Sequence, residues 1–89
     1  MAELKEFRDK IDEVDDKMVM LFEERMEIVH KIADYKEQNG IAILDISRER
    51  EVIERGIDKL KNKDLADLSQ KFFAHLMDLS KEEQENIME

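Results

Sequence analysis

The sequence has no cysteine, proline, tryptophan or threonine, and only two glycines, Gly40 and Gly56, among 89 residues. Without cysteine there is no disulfide, no thiolate-bound zinc or iron–sulfur centre and no thiol nucleophile. The lack of proline and the shortage of glycine argue against a turn-rich β-sandwich or barrel. Long apolar runs are missing too. No stretch approaches the roughly 20 residues needed to cross a bilayer, and the opening Met-Ala-Glu-Leu-Lys-Glu has no apolar export segment. Basic runs are equally absent: the 15 Lys and Arg are interleaved with 24 Asp and Glu, giving a net charge of −9. A nucleic-acid backbone would be repelled by such a chain. What is present is 42% hydrophobic and 44% charged residues, too apolar for a disordered acidic tail. Glu, Lys, Leu, Met and Ile dominate, and these are helix formers. The composition predicts one all-α, cytoplasmic domain over residues 1–89, with no nucleic-acid or membrane partner.

The strongest pattern lies in the first half. Leu4, Phe7, Ile11, Val14, Met18, Leu21, Arg25, Ile28, Ile32 and Tyr35 follow a 3-4-3-4 spacing broken only by Arg25, a heptad seam longer than four repeats. Asn39-Gly40 supplies a left-handed stop. The spacing therefore predicts a helix over about 3–38, roughly 54 Å long, against about 31 Å for the width of a compact globule of this size. A second helix is expected near 46–61, capped by Asp45 or Ser47. A third is expected from Asp64, where Asp64-Leu-Ala-Asp67 resembles a capping box, and it should extend into 80–84 before fraying. One very long and two shorter helices cannot bury the seam within one chain, so pairing across a two-fold axis into a homodimer is expected.

Conventional catalytic motifs are scarce. Glu27-Ile28-Val29-His30 has a di-iron spacing, but such a site needs a second copy, and Phe72 stands three residues before the other histidine, His75. A solvated Glu27–His30 pair is the ordinary account, and no metal is expected. Ser47, Ser69 and Ser80 lie in no nucleophile elbow, and two glycines cannot build a phosphate loop.

Cations in apolar company are more informative. Arg25 sits in the seam itself, which by itself signals pairing with a carboxylate or control of register. Arg25, Val29, Ile32 and Lys36, however, form one stripe. Residues 25 and 36 are about 20° apart around the helix and about 16 Å apart along it. Two long cationic side chains there can close on a small anion, which would offset the cost of burying them. Asp45, Arg48, Glu49 and Val52 form a polar stripe on the second helix, ordinarily solvated ion pairs with a cap. Ser80 and Gln84 follow Phe73 and Met77 on one face of the third, ordinarily a polar end.

Taken in order, Phe7-Arg8-Asp9-Lys10-Ile11, Asp15 with Glu24-Arg25, Lys36, Asp45-Ile46-Ser47-Arg48-Glu49-Arg50, and Ser80 with Gln84 resemble the all-helical, AroQ-type chorismate mutase family over about Leu4 to Glu85. The resemblance implies an intertwined homodimer with two shared active sites, converting chorismate to prephenate without a cofactor. It implies that Arg25 and Arg8 bind the two substrate carboxylates, with Ser80 helping at one. It also implies that Lys36 and Gln84 donate to the ether oxygen, that Glu49 and the backbone near Asp45 hold the ring hydroxyl, and that Arg48 orients Glu49. Lys36, Gln84 and Arg25 would carry catalysis. Arg8 lies 17 residues before Arg25, about 25 Å along a helix, so it cannot join Arg25 within one straight helix; an antiparallel partner helix could deliver it, as the resemblance implies.

A pericyclic rearrangement needs no nucleophile and no proton transfer, consistent with the empty motif search. Two departures from the family pattern stand out. Ala42 replaces a frequent proline, and Lys81 replaces a frequent apolar residue, making the rim more polar without touching the named contacts. The alternatives are an isochorismate-pyruvate lyase of the same fold and a non-catalytic or regulatory helical dimer. Intact Glu49 and Gln84 favour the mutase over the lyase, and retention of all eight site residues counts against a non-catalytic relative. Any fused dehydratase, dehydrogenase or synthase domain is expected to lie outside this chain.

Overall fold

The computed structural model describes residues 2–88. These form α1 (Ala2–Gln38), α2 (Ile46–Lys59), a 3-10 turn (Lys63–Leu65) and α3 (Ala66–Ile87), with no strand among them. The all-α expectation with one very long first helix is met. The extents are 55 × 26 × 15 Å and the radius of gyration is 16.3 Å, against about 12 Å for a compact chain of this length.

Helix α1 ends as its sequence dictates. Gly40 adopts φ +64°, the left-handed conformation that costs an L side chain roughly 1–2 kcal/mol. The Ile41 amide then donates to the Lys36 carbonyl at 2.8 Å and the Gly40 amide to Glu37 at 3.4 Å, the paired bonds of a Schellman stop. Asp45 rather than Ser47 caps α2: its carboxylate accepts from the Arg48 amide at 3.0 Å. At the other end, Lys63 Nζ donates to the carbonyls of Ile57 and Asp58 at 2.7 and 3.0 Å. It satisfies acceptors that the helix leaves unpaired and places a cation at the negative end of its dipole.

The start of α3 differs from expectation. Asn62 caps the 3-10 turn Lys63–Leu65, its side chain accepting from the Asp64 amide at 3.0 Å, and α3 begins only at Ala66, with Leu65 at its N-cap position and no side-chain cap. This Asx turn occupies an amide that a helix starting at Asp64 would leave free, and a 3-10 turn precedes α3. At its far end α3 runs on to Ile87. α2 stops two residues short of the predicted 61, because Leu60 turns extended at ψ 133°.

α3 is the element against which both others pack. It contributes the buried Ser69, Met77, Ser80 and Gln84, while α1 contributes Val29 and Ala33. Gly56 lets α2 approach closely, since a Cβ there would lie 2.7 Å from the Phe73 ring. Phe73 in turn meets Phe72 edge-on, with ring centroids 5.2 Å apart. By contrast, every residue from 2 to 24 of α1 is exposed. The seam lies bare, with Phe7 59%, Ile11 60% and Leu21 61% exposed. Among the described residues, no helix is long and apolar enough to cross a membrane.

Candidate active site

Where α1, α2 and α3 converge they form a half-open cavity of about 380 Å³, within the range that takes a small-molecule ligand. The charged stripe of α1 forms one wall: Arg25, Val29, Ile32 and Lys36 all line it. They do so together because spacings of 4, 3 and 4 keep them on one helical face. The beginning of α2 adds Asp45, Arg48, Glu49 and Val52, and α3 adds Met77, Ser80, Lys81 and Gln84.

Several of these side chains are held in place. Arg25 Nη1 donates to Ser80 Oγ, whose hydroxyl donates to the Leu76 carbonyl at 2.9 Å. Lys36 Nζ donates to the Ile43 carbonyl at 2.8 Å, a contact made available by the chain reversal at Gly40. Lys81 Nζ meets Glu49 Oε2 at 2.8 Å and Asp78 Oδ1 at 3.4 Å. Gln84 is 6% exposed, and among the described residues its Oε1 has no hydrogen-bond partner, which leaves a buried acceptor open to a donor on an incoming ligand.

The cavity is cationic. Arg25, Lys36, Arg48 and Lys81 face only two lining carboxylates, Asp45 and Glu49. Asp45 is engaged on the Arg48 amide and Glu49 on Lys81. Neither Arg25 nor Lys36 has a carboxylate within ion-pair distance among the described residues. Burial, reinforced by the nearby Arg48 guanidinium, lowers the Arg25 pKa from its ordinary value, although a guanidinium remains charged near neutrality. Its proton is retained against that cost, and an anion in the cavity would relieve it. Hydrogen bonding to Glu49, with Asp78 adding to it, raises the Lys81 pKa above its ordinary value.

Residues 7–85 match the family described as chorismate mutase type II. The chain belongs to that family. Among curated relatives, the bifunctional chorismate mutase/prephenate dehydratase of Buchnera aphidicola is 45% identical over 49 residues, covering 55% of this chain and 13% of that protein. The chorismate mutase of Methanocaldococcus jannaschii is 40% identical over 55 residues, covering 62% of this chain and 56% of that protein. The aligned part thus spans less than two thirds of either relative. No solved structure gives a significant match.

Of the site residues expected for a chorismate mutase, Arg25, Lys36, Asp45, Arg48, Glu49, Ser80 and Gln84 all line the one cavity. Arg8 does not. It lies on the exposed part of α1, far along the helix from Arg25. Three expectations need correction. Arg48 lines the cavity but does not orient Glu49: its guanidinium pairs with Glu51 at 3.3 Å. Lys81, expected at the rim and clear of the named contacts, lines the cavity and bonds Glu49. It follows Met77 by four residues and precedes Gln84 by three, which is the helical signal that marks it. His30 pairs with Glu83 of α3 at 2.9 Å, not with Glu27, because the partner lies across the helix interface rather than one turn back. Among the described residues, no three histidines or carboxylates gather as metal ligands. Ile28 and Ile43, absent from the expected set, complete the apolar wall.

Proposed function

We propose that this chain is a chorismate mutase acting in phenylalanine and tyrosine biosynthesis, as a cytoplasmic homodimer of the single helical unit 1–89. One observation carries the proposal. Arg25 and Lys36, without carboxylate partners, face the same cavity as Ser80, Gln84 and Glu49. A small dianion carrying an ether oxygen and a hydroxyl meets complementary groups there, and family membership over residues 7–85 supplies the substrate.

In the rearrangement the ether C–O bond breaks as a C–C bond forms within the same molecule. No atom is gained or lost, and no acid, base or nucleophile is required. The protein has two tasks. It must hold the flexible dianion in its reactive fold, an orientation effect, and it must stabilise the negative charge growing on the ether oxygen. Arg25, tethered to Ser80, takes one carboxylate in the planar two-point manner of a guanidinium. Lys36, fixed by Ile43, and the Gln84 amide donate to the ether oxygen. Glu49 accepts from the hydroxyl beside the Asp45 cap, with Arg48 next to it.

The second carboxylate falls to Arg8 of a second copy. The bare seam from Leu4 to Leu21 supports this pairing, since apolar helix faces of that length are buried in oligomers. An antiparallel copy would cover the seam and carry its Arg8 toward the first copy's Arg25. Assembly would then complete the site as well as stabilise the fold.

Incubation of the purified protein with chorismate, followed by its conjugated-diene absorbance and by product analysis, tests the proposal. Prephenate is the expected product. An inert protein under these conditions refutes it, and pyruvate released from isochorismate without prephenate formation from chorismate assigns the site to a lyase.

A further inference from the structure

Lys81 differs from the other cations of the cavity. Arg25 and Lys36 have no carboxylate partner, and Arg48 turns to the exposed Glu51 at 3.3 Å. Lys81 alone among them is bonded to a carboxylate that itself lines the cavity, Glu49 Oε2 at 2.8 Å. Its second contact, Asp78 Oδ1 at 3.4 Å, comes from its own helix. The Lys81–Glu49 contact is also the one ion pair joining α2 to α3 among the described residues. Both side chains are mostly covered, 27% and 28% exposed, which distinguishes the pair from the surface pairs that contribute little.

Its placement answers an electrostatic problem. Glu49 is a carboxylate in a cavity otherwise suited to a dianion. Left alone it would repel both ligand carboxylates, and its side chain would be free to swing toward Arg25 or Arg48. With Oε2 held by the Lys81 ammonium, the local charge is cancelled and Oε1 remains available as an acceptor. The uncancelled positive charge then lies with Arg25 and Lys36 on α1, across the cavity from α2.

We propose, resting on the chorismate mutase reading above, that Lys81 is a positioning residue. It fixes Glu49 and neutralises it, so that Glu49 accepts the substrate hydroxyl without repelling the substrate's carboxylates. Lys81 acts through Glu49 and does not bind substrate itself. The ring end of the substrate is thereby recognised by a carboxylate–ammonium pair rather than by a lone carboxylate.

Steady-state kinetics with chorismate on wild type, Lys81→Met, Lys81→Arg, Glu49→Gln and the double variant Lys81→Met/Glu49→Gln test this, with thermal melting on each. Loss of a charge-assisted hydrogen bond predicts roughly a tenfold rise in KM for Lys81→Met. kcat should fall by no more than about threefold, because the contact is made equally in ground and transition states. Lys81→Arg should restore most of the loss. In the Glu49→Gln background, Lys81→Met should cost less than about twofold, since its partner charge is already gone. An unchanged KM in Lys81→Met overturns the proposal. So does an undiminished cost in the Glu49→Gln background, which would mean that Lys81 contacts substrate directly. Equal losses in kcat and kcat/KM that track a lowered melting temperature would show a merely structural pair, and also overturn it. An inert wild type refutes the chorismate mutase reading and this assignment together, whereas an active wild type with uncoupled Lys81 and Glu49 refutes this assignment alone.

Discussion

A mixing experiment tests the shared site most directly. Arg8 and Lys36 lie on one continuous helix, Ala2–Gln38, and are separated by about 42 Å along its axis. A cavity of 380 Å³ cannot take both side chains from one copy of a straight helix. If Arg8 serves the other copy's cavity, an Arg8→Ala chain and a Lys36→Ala chain carry defects in different halves of the site. Each homodimer has two defective sites. Lys36→Ala removes a donor to the developing oxyanion, worth on the order of 10²–10³ in kcat, and Arg8→Ala removes a charge-assisted carboxylate anchor. In a heterodimer, the Arg8→Ala chain offers an intact Lys36 cavity and receives an intact Arg8 from its partner. That site is complete, while the other carries both defects.

Random exchange gives half heterodimers, each with one good site of two, so about a quarter of all sites are restored in a two-fold dimer. Equimolar chains, unfolded and refolded together, should therefore recover about 25% of wild-type activity, above either parent, with the Lys36→Ala parent at about 1% or less. Native mass spectrometry measures the heterodimer fraction, and activity should rise in proportion to it. Heterodimers present at the expected fraction, but with activity no greater than the sum of the parents, would refute a cross-subunit Arg8.

The bare seam makes a second prediction: Ile11→Asp, at a position 60% exposed in the single chain, should convert a dimer to monomers in sedimentation velocity. Each copy loses about 1–2 kcal/mol of apolar burial, doubled by symmetry, and catalysis should fall with the dimer. A third concerns the His30–Glu83 contact, whose hydrogen bond lowers the Glu83 pKa from 4.5. A depressed carboxylate stabilises the fold above its unfolded pKa and loses that contribution as pH falls through the folded value. Glu83→Gln should therefore lower the melting temperature at pH 6 but leave it close to wild type near pH 3.

How much of this was legible in the sequence depended on whether one helix or two decided the outcome. The length of α1 and its stop at Gly40 were legible, because seam spacing and the left-handed preference of glycine are local. The clustering of Arg25 with Lys36 was legible for the same reason. The origin of α3 was not. Asn62 and Asp64 are both good caps, and a side-chain bond from Asn62 to the Asp64 amide caps a 3-10 turn ahead of the helix. Likewise, His30 had a carboxylate three residues back and another on α3, and only the packing of α3 on α1 selected Glu83. Lys81 was misjudged because its pairing with Glu49 depends on how α3 is rotated against α2, which no single-helix periodicity reports. Arg8 marks the opposite limit: the spacing that excludes it from its own chain's cavity is itself legible, and the proposal assigns it to a second copy.

The charge distribution follows from the same geometry. A chain of net charge −9 repels a dianion at long range, so association gains nothing from steering at distances beyond the roughly 8–10 Å over which salt screens charge. Capture must come from short-range groups, and here the cavity differs from the surface around it. Its two lining carboxylates are each engaged, Asp45 on the Arg48 amide and Glu49 on Lys81. In the proposed dimer, Arg25 and Lys36 would neutralise the ligand, with Arg8 of a second copy joining them. Selectivity then rests on fixed positions rather than on overall attraction. Under the proposed reading, an anion with one carboxylate would leave the second copy's Arg8 unpaired, and one without a hydroxyl would leave Glu49 Oε1 without a donor. Each unpaired group costs about 1–3 kcal/mol to the extent that the bound ligand excludes water from it, so discrimination should be strongest at the buried Ser80 and Gln84 end.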